Sequence, residues 1–108
     1  MTDTLTGIIA DACLVTFTGL TGDLEGARVL TGTILKDFAD RFRTGDAFVS
    51  SRVEYVSGDI VRTQNSTYQV QGSVDHVDLP SLAIPLVRAL VDPREIRHVL
   101  EATPAASD

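Results

Sequence analysis

Residues 47–71 read AFVSSRVEYVSGDIVRTQNSTYQVQ, and the breaks in this stretch fall too close together for helices. Ser57-Gly58-Asp59 and Gln64-Asn65-Ser66 are turn material. Glycine accepts positive φ freely, and asparagine tolerates it while bonding its own backbone. Between the breaks stand β-branched and aromatic residues in alternation with polar ones. Val49, Ser51, Val53 and Tyr55 fall on one face of the first segment, and Phe48, Ser50, Arg52, Glu54 and Val56 on the other. Short segments joined this tightly pair with their neighbours. The stretch therefore predicts a three-stranded antiparallel meander with a face of Val, Ile and Tyr.

Two more strands are expected upstream. Over residues 7–18, Cys13, Val15 and Phe17 alternate with Leu14, Thr16 and Thr18. A helical turn through Ile8, Ile9, Ala12 and Cys13 competes, with Gly7 and Thr6 against it. Residues 1–6 read as a loose start, and the glycines of 19–26 as a turn. Over residues 28–35, Val29, Thr31, Thr33 and Leu35 alternate with Leu30, Gly32 and Ile34. Gly32 inside a strand marks a bulge or a close backbone approach. Residues 36–46 read as a loop or one helical turn, with Phe38 and Phe42 at a spacing that shares a side.

Beyond Gly72 the pattern changes. Residues 79–102 are rich in Leu, Ala, Val and Ile, and Leu82, Leu86 and Leu90 recur every fourth position. Asp78 and Pro80 suit a helix start, and Pro85 must kink or restart it. Asp92-Pro93 is a second start, followed by an Ile96, Val99, Leu100 stripe. Residues 103–108 read as a frayed tail. The expected fold is α+β: a small antiparallel sheet or partly closed barrel followed by one or two C-terminal helices, in one domain of 108 residues. Residues 1–72 are mainly β and 79–102 helical.

Composition narrows the function. With 44% hydrophobic and 22% charged residues the chain is globular, and without Trp its core is aliphatic. Nine Lys and Arg face 15 Asp and Glu, for a net charge of -6. No basic patch is legible, so direct nucleic-acid binding is not expected. A single cysteine, Cys13, allows no intrachain disulfide and suits a reducing compartment. The apolar run over residues 8–20 is interrupted by Asp11 and several Thr, so neither a signal peptide nor a membrane span is expected. A cytoplasmic protein without membrane attachment is the resulting expectation.

Residues 37–72 also carry a motif: Arg41-Phe42, then Gly45-Asp46, Val49, Ser50, Ser51 and Val53, then Thr63, Asn65, Ser66 and Tyr68. It resembles a family of small uncharacterised bacterial and phage proteins with an Arg-Phe-x-x-Gly-Asp, Ser-Ser, Thr-x-Asn-Ser-x-Tyr strand-hairpin pattern. Ala47-Phe48 departs from the aromatic expected directly after Gly-Asp, and residues from Ser73 onward have no counterpart. The resemblance implies a fold more than an activity. For a phage- or mobile-element-encoded protein, inhibition of a host defence complex is the specific role expected by association.

Chemistry-bearing residues are few. Ser50 and Ser51 with Asp46 and His76 lack a nucleophile elbow and an oxyanion hole, and serines in a strand more often bond across it. Asp75, His76 and Asp78, or Glu95 with His98, fall short of a metal ligand set. No enzyme, metal or cofactor is expected. The candidate partner-binding residues are Asp37, Phe38, Asp40, Arg41, Phe42 and Arg43, because Phe beside Arg is the composition of an interface hot spot. In the competing reading both phenylalanines cap the sheet core. The expected function is a non-catalytic protein-interaction module. The alternative is a small-molecule or nucleotide-binding module with Thr63, Asn65 and Tyr68 near a pocket. Between Leu79 and Val91 only Arg88 is charged, which points to a homodimer through that segment.

Overall fold

The computed structural model describes residues 5–102. Six strands form one mixed sheet: β1 (Gly7–Thr18), β2 (Arg28–Asp37), β3 (Ala47–Ser57), β4 (Ile60–Thr63), β5 (Thr67–Val70) and β6 (Asp75–Pro80). A 3₁₀ turn, Ser81–Ala83, leads into α1 (Ile84–Arg88), and α2 (Pro93–Ala102) follows. The architecture is α+β, as expected. The meander β3–β4–β5 stands where its turns place it, Ile60 pairing with both Ser57 and Gln69.

The closure is what alternation does not reveal. Strands β1 to β5 pair in succession antiparallel, and β5 then runs parallel to the start of β1, Gly7 opposite Tyr68. The hydrogen bonding closes into a ring. The second half of β1 leaves β5 and pairs in parallel with β6, Cys13 opposite Asp75 through Thr18 opposite Pro80. The sheet is thus mixed rather than purely antiparallel. β6 corrects the expectation that no strand follows residue 71 and that Leu79 and Pro80 open a helix. Its alternation is two residues deep, Val77 and Leu79 inward, between charged neighbours. Thr6 corrects the loose start: its N–H donates to the Thr67 carbonyl and its carbonyl accepts from Phe38. Residues 1–4 and the tail at 103–108 lie outside the described residues.

Five strands close a ring only if they bend, and bulges supply the bend. On β1, Ala10 pairs with Thr33 but Cys13 with Thr31, so β1 holds one residue too many at Asp11–Ala12. Asp11 takes φ +51 there. Gly32 lies opposite: a Cβ would collide with Ile9 Cγ2 and stand 2.7 Å from the Ala10 carbonyl oxygen. The glycine does mark a close backbone approach. A second bulge, on β3, lies between Val49 and Arg52, which pair with Thr31 and Val29. It breaks the expected faces: Phe48, Ser50 and Val53 are all buried, although simple alternation puts Val53 opposite the other two.

Two apolar clusters result. Ile9, Ala12, Leu14, Leu30, Ile34, Phe48, Val53, Val61, Tyr68 and Val70 fill the ring. Cys13, Val15, Phe17, Val29, Val77 and Leu79 meet Ala83, Val87 and Ile96 between sheet and helices. β1 is buried on both faces, and its alternation of Cys13, Val15 and Phe17 against Leu14 assigns each face to one cluster. Pro85 lies in the first turn of α1 and restarts the chain as a helix, the position where its missing N–H costs nothing. Asp92 caps α2 as expected, its Oδ1 accepting from the Arg94 N–H at 2.9 Å. Of the Ile96, Val99, Leu100 stripe only Ile96 is buried.

Candidate functional site

β2 ends at Asp37, and that carboxylate organises the turn that follows. Its Oδ2 accepts from the Arg41 N–H at 2.6 Å and the Phe42 N–H at 2.8 Å, and its Oδ1 accepts from Ala39 at 3.2 Å. Asp40, at φ +56, reverses the chain inside this cradle. No helical turn forms at residues 36–46, because three backbone donors converge on one side chain instead of on carbonyls. The Asp37 side chain is 2% exposed. Burial pushes its carboxyl up, but the three N–H donors and the nearby Arg41 charge outweigh that and hold it below its ordinary value. The far end of the turn is equally bound. Arg43 N–H donates to Asp46 Oδ2, the Thr44 hydroxyl donates to the Leu35 carbonyl, and Gly45 N–H donates to the Ile34 carbonyl.

Two phenylalanines stand on this frame. Phe38 is 51% exposed and Phe42 40%. The Lys36 ammonium lies 5.9 Å from the Phe38 ring centre and the Arg41 guanidinium 5.4 Å from that of Phe42. Phe42 also sets an edge on Phe48 at 5.8 Å, and Phe48 another on Tyr68 at 4.9 Å. Phe42 therefore combines the two readings: one edge continues the ring core and the rest faces outward. Arg41 Nη2 donates to the Tyr68 hydroxyl at 3.3 Å, which brings a residue of the alternative site against the first one. Asp40, Arg41 and Arg43 are exposed.

The alternative set does not meet in a pocket. Thr63 is fully buried, with its hydroxyl bonded to both the N–H and the carbonyl of Ser66. Tyr68 is 4% exposed inside the ring, and Asn65 is exposed at the turn. The Ser50 hydroxyl is likewise occupied, accepting from the Leu30 N–H and donating to the Ser51 carbonyl. Among the described residues no buried side-chain polar atom lacks a partner, and no three His, Cys, Asp or Glu converge as metal ligands would. No helix of the described residues is long and apolar enough to cross a membrane.

Sequence reasoning passed over two arginines that fix the helices to the bulges. Arg94 Nη2 donates to the carbonyls of Asp11 and Ala12, each at 3.2 Å, while its Nε donates to Asp75 at 2.6 Å. Arg88 Nη1 donates to the Ser50 carbonyl at 3.0 Å. A bulge releases carbonyls from the strand ladder, and a guanidinium fork suits them. Arg88, as the lone charge of its segment, was the one visible signal. An open groove of about 440 Å³ runs beside Arg94, lined also by Thr33, Phe48, Val87 and Leu90. No family model, curated protein or solved structure matches the chain.

Proposed function

We propose that the protein is a non-catalytic interaction module whose Asp37 turn engages a protein partner. The observation that carries this reading is the pair of outward phenylalanines, each with a cation over its ring, on a turn held by a buried carboxylate. A turn bound at both ends loses little freedom on docking, which favours affinity. Aromatic side chains beside arginine are the usual anchors of such contacts.

The charges select the partner's chemistry. Lys36, Arg41 and Arg43 flank the rings, against Asp40 and Asp46, because Asp37 is turned inward. Counting the ionised Asp37, 3.8 Å from the Arg41 guanidinium, the spot is neutral as a whole, but the groups it exposes are three cations against two carboxylates. The complementary surface carries Asp or Glu beside a large apolar side chain. Its carboxylates pair with the cations while its apolar group covers a ring.

Selection from a displayed random-peptide library tests the reading, with wild type as bait and Phe38→Ser as counter-bait. Enriched peptides should combine acidic and large apolar residues. They should bind the Phe38→Ser and Arg41→Ala variants at least about tenfold more weakly, the loss of one hot-spot contact. Peptides that bind both variants as well as wild type place the contact elsewhere. Failure to enrich any sequence removes the support for a peptide-reading turn.

A further inference from the structure

The groove beside Arg94 lies between β2 and the start of β3 on one side and the connection from α1 to α2 on the other. Its volume of about 440 Å³ is in the range of small-molecule sites. Val87, Leu90 and Val91 give it an apolar wall, and Asp11, Asp75 and Asp92 stand around Arg94.

The groups that would hold an anion here are already in use. Arg94 Nε donates to Asp75, Nη1 to Asp92, and Nη2 to the carbonyls of Asp11 and Ala12. The first turn of α2 is no freer. Pro93 has no N–H, the Arg94 N–H donates to Asp92 Oδ1, and the Glu95 and Ile96 N–H groups donate to the Asp92 carbonyl at 3.0 and 3.1 Å. Acceptors are in excess, because three carboxylates stand against one guanidinium. Asp75 and Asp92 bond to the Arg94 guanidinium through one oxygen each. The Asp11 side chain makes no hydrogen bond or ion pair among the described residues. No three of the described acids converge as metal ligands would, so a bare metal ion does not fit the arrangement.

Backbone strain falls on the same groove. Among the described residues three that are not glycine take positive φ, and Asp11 at +51 and Leu90 at +68 both line it. Leu90 ends α1 where glycine is the common residue, since a Cβ is strained there. Its side chain is 49% exposed, outside both core clusters. One strained carboxylate and one strained apolar residue on a common groove mark positions that serve more than the fold.

We infer that this groove binds a small organic cation, a protonated amine on an apolar body. The ammonium donates to carboxylate oxygens of Asp11, Asp75 and Asp92 that Arg94 leaves unused, and the hydrocarbon lies against Leu90 and Val87. No residue of the Asp37 turn lines the groove, so the two readings stand or fall separately.

Phenethylamine and hexylamine are the probes, with phenethyl alcohol and hydrocinnamate as neutral and anionic controls. Amide chemical shifts of the isotope-labelled full chain are followed near neutral pH up to about 10 mM, above the millimolar constant expected of molecules this small. An amine should move the amides of Thr31, Thr33, Ala47, Leu90 and Val91 with saturation, and the controls should not. Asp11→Asn should weaken the amine about tenfold, the loss of one charge-assisted hydrogen bond, and asparagine accepts the same positive φ. Leu90→Gly should weaken it at least about threefold through lost apolar contact, while the thermal midpoint holds or rises because the turn is relieved. No saturating shift from either amine at about 10 mM overturns the proposal. So does a control that binds as tightly as the amines, a shift confined to residues away from the groove, or a constant that the two variants leave unchanged. Leu90→Gly decides where Asp11→Asn does not fold.

Discussion

Asp37 is the residue on which the candidate site depends. Its carboxylate is taken out of water and receives three N–H donors from a single turn. Its folded value lies below the ordinary 3.8, so the contribution it makes is complete above that pH. The contribution is lost as pH falls below 3.8 through the folded value, where the carboxyl protonates. Asp37→Asn keeps the shape but removes the charge. At about pH 7 the variant should be less stable by about 2 kcal/mol, the scale of hydrogen bonds to a charged group. Urea melts between about pH 7 and 3 should show this gap closing on the acid side. A gap that does not change with pH means the charge is not what holds the turn.

At the scale of elements, β1 governs the arrangement. One edge of β1 pairs with β2, and the other is divided between β5 and β6. Its bulge turns the carbonyls of Asp11 and Ala12 toward Arg94, at the start of α2. That arginine is a polar tie between α2 and the ring, and among the described residues of the helix Ile96 is the one in the buried apolar clusters. Arg94→Met should cost about 2 kcal/mol from lost charge-assisted bonds. Amide exchange should locate the effect: protection in α2 falls while the amides of β4 and β5 keep theirs. Equal losses in both would show that Arg94 supports the sheet rather than the helix.

In the whole molecule the ring and the helix layer share β1, so they should unfold together. Cys13 reports on this, because it lies under the helices while Val53 lies inside the ring. Burial, set partly against the Arg94 charge, pushes the Cys13 thiol up to about 11. Near neutral pH it is a protonated thiol beyond the reach of reagents until the layer opens. Val53→Ala should lower global stability by about 2 kcal/mol, through lost burial and a cavity. If opening is global, labelling of Cys13 should accelerate by roughly 30-fold, the same free energy expressed as a population. An unchanged labelling rate would show that the helices lift from the sheet independently.

The meander, the strand alternation of β1 and the Asp92 cap were all legible in the chain, because each depends on residues within a few positions of one another, and Gly32 was legible as a glycine inside a strand although the groups that crowd it, Ile9 and Ala10, come from β1. The ring was not. A parallel partner for β1 comes from about 60 residues away, and nothing local to residues 75–80 distinguishes a two-residue inward alternation from a helix start. Of the candidate site, the composition of residues 37–43 was readable, as the place where Phe and Arg gather. Its geometry was not, because a loop of charges does not announce that one carboxylate turns inward and collects the backbone of the others. The leucine row was legible as a period, but which of its neighbours meet the sheet was not. Periodicity shows that a helix has two sides, and only the packing of Ala83 and Val87 against the sheet shows which side is outside.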